Sequence, residues 1–88
     1  MERVYPRWQI HCEEKDMWWD LTDHINGHCE AAYCGGYEEY QYTYNWKHKA
    51  KTVSYVVYFK QQIVVNEDTS HPRRIRRVLL EEKDRTSG

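Results

Sequence analysis

The sequence predicts an α+β domain, a set of antiparallel strands with one short helix, and three observations carry that prediction. Val53, Tyr55, Val57 and Phe59 alternate with Ser54, Val56, Tyr58 and Lys60, the period of a strand with one committed face. Tyr40, Tyr42, Tyr44 and Trp46 alternate with Glu39, Gln41, Thr43 and Asn45 in the same way. A single helical stripe, Cys29, Ala32 and Tyr33 at i, i+3 and i+4, lies between turn residues and Gly35-Gly36.

Each element can be justified in order. Residues 1–7 form a polar lead-in. Trp8–Glu13 alternates Trp8, Ile10 and Cys12 against Gln9, His11 and Glu13 and makes a first strand; Glu14–Asp16 turns the chain. Met17–Leu21 is a second strand, and its adjacent Trp18 and Trp19 must point to opposite faces. Alternation gives opposition but not direction; the expectation is Trp18 in the core and Trp19 on a pocket wall. Asn26 is a good N-cap, so the helix is expected after Gly27, over residues 28–34. A helix this short must be held by packing on the sheet. Tyr37–Trp46 is the aromatic strand, and Lys47–Lys51 a basic loop. Then comes the stretch Ser54–Arg77: a strand, a turn over Asn66–Pro72, and a returning strand holding Arg73, Arg74, Ile75, Arg76 and Arg77. That pairing places tyrosines and guanidinium groups on neighbouring rungs. Residues 81–88 read as a flexible tail, leaving 8–80 as the domain.

Composition narrows the function. The 88 residues are 15% aromatic, with eight tyrosines and four tryptophans, a density that suits strands and binding surfaces. Three cysteines, an odd number, argue against a disulfide framework and for a reducing compartment, cytoplasm or nucleus. No apolar run has membrane-spanning length. The net charge of −1 is unevenly distributed. Residues 1–45 hold nine acidic against three basic residues, and residues 46–80 hold eight basic against two acidic. Such a field steers an anion to one side, or reflects pairing between the halves.

Aromatic faces beside arginine forks suit a ligand that joins a base to phosphates; a solvated basic hairpin edge has the same pattern. No Gly-rich phosphate loop, nucleophile motif or carboxylate dyad supports an enzyme. The aromatic ladder with RRIRR would suit single-stranded nucleic acid, but the slightly acidic chain argues against it. His24, His28, Cys29, Cys34 and Cys12 invite a zinc test, yet no C-x-x-C is present. With Asn26 as the cap, His24 lies outside the helix and shares no face with His28, so no metal site is expected.

The order of landmarks resembles a WWE domain. Trp8 matches the first tryptophan of that family, Trp18 or Trp19 the second, and Glu30 in CEAAY its glutamate. Tyr55, Val57, Phe59, Asn66, Thr69, Arg73, Ile75 and Arg76-Arg77 then fall without a gap on the family's tyrosine-to-arginine stretch, so the match covers about residues 8–77. Tyr58, Gln62, Val64 and Ser70 stand where the family has Asp, Met, Gln and Gly, and Cys29 replaces the helix Ile. The resemblance implies a curved antiparallel half-barrel sheet with one helix packed in it. It also implies a non-catalytic module, without cofactor, that recognises ADP-ribose or poly-ADP-ribose through the iso-ADP-ribose unit, in a ubiquitination or ADP-ribosylation context. On that basis Trp19 and Tyr55 would stack on the ligand, Arg73 and Arg76 would hold the pyrophosphate, and Gln62 would replace the hydrogen bond that Val64 cannot make. Glu30 is expected to be structural. The alternative is a WWE-like protein–protein interaction module whose pocket has drifted. A monomer is expected in either case.

Overall fold

The computed structural model describes residues 3–46 and 50–82. The expected basic loop lies largely outside these residues, as do Met1, Glu2 and residues 83–88 of the expected tail. The elements are β1 (Arg3–Cys12), β2 (Met17–Asp20), α1 (Asp23–Cys34), β3 (Glu39–Trp46), β4 (Lys51–Tyr58), β5 (Ile63–Asn66) and β6 (Pro72–Glu82). Six antiparallel strands in the order β2-β1-β6-β5-β4-β3 form one curled half-barrel sheet, and α1 lies in its hollow. The fold is the α+β half-barrel that the resemblance implies. Among the described residues no helix is long and apolar enough to cross a membrane.

Alternation sets the inner face, although His11 and Val56 are buried on the opposite one. Trp8, Tyr42, Val57, Val64 and Ile75 point into the hollow and are buried with Leu21, Ile25 and Cys29, while Ile10, Tyr40, Tyr44, Tyr55 and Phe59 pack around them. Val57 and Cys29 are fully enclosed. Burial in this apolar centre pushes the Cys29 thiol up to about 12. Three tyrosine rings tile the inner face of the β3–β4 pair: Tyr40 and Tyr42 stack at 5.8 Å, Tyr42 and Tyr55 at 5.2 Å.

Four expectations are corrected. First, β1 begins at Arg3, so the lead-in is strand. Pro6 is tolerated because β2 pairs only with Gln9–Cys12, leaving Pro6 with a ladder partner on one side alone. Second, β6 continues to Glu82, so the expected tail starts as strand. Third, α1 begins at Asp23 after Thr22 rather than at Asn26. Asn26 is inside the helix and serves the sheet: its Oδ1 accepts the Trp8 backbone N–H at 2.7 Å, and its Nδ2 donates to the Pro6 carbonyl at 3.2 Å. One side chain thus continues the β1 ladder where no strand does. Fourth, β5 stands between β4 and β6, so those two long strands do not pair. Ile63, Val64 and Val65 run without alternation: Val64 is buried in the hollow, and Ile63 and Val65 are half-buried on the opposite face.

Candidate ligand-binding site

The register sorts the inner face into rows. Arg73 lies opposite Val64, Val64 opposite Val57, and Val57 opposite Tyr40. The adjacent row holds Asn66, Tyr55 and Tyr42. Trp19 lies opposite Ile10, which lies opposite Ile75. Since strand neighbours two apart share a face, Trp19, Arg73 and Tyr55 all belong to the hollow side. Tyr55 and Arg73 are therefore on one face but two strands and two residues apart, roughly 12 Å at ordinary strand spacing and rise, rather than on neighbouring rungs. Asn66 sits between them. Alternation could not reveal that place, because β5 has none to read.

Each side chain offers distinct chemistry. Trp19 leaves 50% of its surface exposed at the β2 edge, with the Lys15 ammonium 5.5 Å from its ring centroid. Tyr55 is half-buried, and its hydroxyl accepts the Trp46 indole N–H at 2.9 Å, which leaves its own proton to donate. Arg73 is half-buried and makes no hydrogen bond or ion pair among the described residues; the Glu13 carboxylate is close enough to feel its charge. An arginine held part-way out of water with its N–H groups uncommitted is poised for an anion. Val64, 2% exposed, makes the floor apolar.

Two expected members lie elsewhere. Arg76 faces outward on β6. Its guanidinium covers Trp18 at 4.1 Å, and its Nε donates to Gln9 Oε1 at 2.9 Å. Gln9 in turn donates to Asp20 at 2.8 Å. Arg73 and Arg76 are three residues apart in a strand and so point to opposite faces; they cannot grip one pyrophosphate together. Trp18 is accordingly an outer-face residue between Arg76, Arg74 and the buried His11 rather than core. Gln62 sits exposed in the turn between β4 and β5 at φ 59°. It precedes Val64, where the family carries glutamine, by two residues, and lies in the turn rather than in the row that Val64 shares with Arg73 and Val57.

Glu30 anchors the helix to the sheet. It accepts the Trp8 indole N–H at 2.9 Å and a bidentate pair from Arg77 at 2.8 and 2.7 Å, while the Cys34 thiol donates to it at 3.0 Å. Arg77 also covers the Tyr33 ring at 5.1 Å. The Arg77 hydrogen bonds hold the Glu30 carboxyl at about 2, against an ordinary value of 4.5, despite the opposing effect of burial. The residue is structural, as the sequence led one to expect.

Comparison with known proteins agrees with this geometry. A family model described as the WWE domain matches residues 6–77. No curated protein matches the chain.

Proposed function

The chain belongs to the WWE domain family, generally non-catalytic binding modules, and on that premise we propose that its hollow binds ADP-ribose or the iso-ADP-ribose unit of poly-ADP-ribose. The observation that carries this reading is Arg73: a half-buried arginine on the inner face, without a bonded partner among the described residues, on the same face as Tyr55 and Trp19. In this reading Arg73 binds a phosphate oxygen, Trp19 stacks at the β2 edge, and the Tyr55 hydroxyl donates to the ligand. The biological setting would be ubiquitination or ADP-ribosylation.

A second reading, a protein-binding module with a lapsed pocket, draws support from one observation: buried, apolar Val64 occupies the row where the family carries glutamine. Losing that hydrogen bond costs about 1 kcal/mol. Calorimetric titration separates the two. The proposed function expects heat with iso-ADP-ribose or ADP-ribose on a natively melting sample. Silence with both ligands at about millimolar concentration, an affinity near −4 kcal/mol or weaker, rejects it in favour of the second reading.

A further inference from the structure

The earlier helix start creates an arrangement that the sequence reading excluded. With α1 beginning at Asp23, His24 and His28 are both helical, four residues apart on one face. Their ring centroids are 4.5 Å apart. Both side chains are exposed, and neither makes a hydrogen bond or ion pair among the described residues. They line a shallow surface depression with Asp23, Gly27 and Ala31. This face is about 100° round the helix from Ile25 and Cys29, which enter the core, and none of Trp19, Tyr55 and Arg73 lines the depression.

We propose that His24 and His28 form a bidentate site for a divalent late-transition-metal ion. Neutral imidazole nitrogens are preferred ligands for Zn, Ni and Cu, and two of them one helical turn apart can be directed at one ion. Here the second nitrogen is delivered by a helix already fixed through the Glu30 and Asn26 bonds, so little ordering is needed. Asp23 adds negative charge at the rim, although Arg7 bonds one of its oxygens at 3.2 Å. Among the described residues no cluster of three His, Cys, Asp or Glu is present. The ion therefore keeps open positions, filled by water, and the site is an exposed chelate rather than a structural zinc centre.

Titration of Ni(II) and Zn(II) into the full chain, with Mg(II) as the control, tests this. One Ni(II) per chain should bind and raise the melting temperature, and Mg(II) should do neither. His24→Ala or His28→Ala should each weaken Ni(II) binding by roughly tenfold or more, because a single imidazole lacks the chelate's effective concentration. Gly27 has open space around its Cβ position. Adding Gly27→His to the His28→Ala chain therefore restores an i, i+3 pair and should recover the binding. Native melting of the metal-free variants establishes that they fold. Ni(II) affinity unchanged in both single variants, or binding that the i, i+3 pair does not rescue, overturns the assignment.

Discussion

Glu30 meets Trp8, Arg77 and Cys34 through two carboxylate oxygens, with only 18% of its side chain exposed. Replacing it by glutamine keeps the shape but removes the charge that Arg77 needs. Glu30→Gln should destabilise the fold by about 2 kcal/mol, read from the urea midpoint at neutral pH. The same residue sets a pH dependence. Its folded-state pKa of about 2 is below the ordinary 4.5, so its contribution is complete above about 4.5 and is lost as pH falls through about 2. Stability of the wild type should drop over that window, and the drop should be shallower in Glu30→Gln. Equal acid slopes in the two proteins would rule out the role given to this carboxylate.

At the scale of elements, the hairpin joining β5 to β6 holds Ser70 at φ 60°, the left-handed region that L-residues enter at a cost. Its N–H still closes the turn onto the Asn66 carbonyl at 2.6 Å. The family carries glycine here, which suits that backbone. Ser70→Gly should therefore stabilise the chain by about 0.5–1 kcal/mol, seen as a higher urea midpoint at unchanged slope. A lower midpoint would mean that the serine side chain holds the turn by some other means.

The elements also show what could be read in advance. Tyr40–Trp46 was legible because one face of the strand is apolar and the other polar; Val53–Phe59 was legible from its inward Val53, Tyr55 and Val57, although Val56 is buried on the opposite face. The helix onset was not: Asn26-Gly27 has the composition of a cap and a break, and only the sheet beneath explains it, since Asn26 satisfies Trp8 and Pro6. Strand β5 was missed because Ile63, Val64 and Val65 are apolar on both faces and so show no alternation. That omission had a consequence for the site, since it put Tyr55 and Arg73 one strand nearer to each other than they are. Arg76 failed for a simpler reason: parity along β6 excludes it from the face of Arg73, and the rows of the sheet decide which arginine faces in.

On the scale of the whole molecule, the half-barrel separates two cationic populations that the linear sequence runs together. Arg73 and Arg77 face the hollow; Arg77 is committed to Glu30, and Arg73 is not. Arg74 and Arg76 face outward around Trp18. The acidic and basic halves of the chain are joined through the Arg77–Glu30 ion pair and a His71–Glu13 hydrogen bond, and the first of these makes part of the charge asymmetry internal pairing. What remains for a ligand is the inner face, where Arg73 has no hydrogen bond or ion pair among the described residues and shares the face with Tyr55 and Trp19.

Calorimetric titration of iso-ADP-ribose into the wild type, Arg73→Ala and Arg76→Ala, each first checked for native melting, reads this division directly. Binding should persist in Arg76→Ala and weaken by about tenfold or more in Arg73→Ala, the loss of one charge-assisted hydrogen-bonding group. Equal affinity in Arg73→Ala and the wild type, or a loss confined to Arg76→Ala, would contradict an inward-facing site built on Arg73.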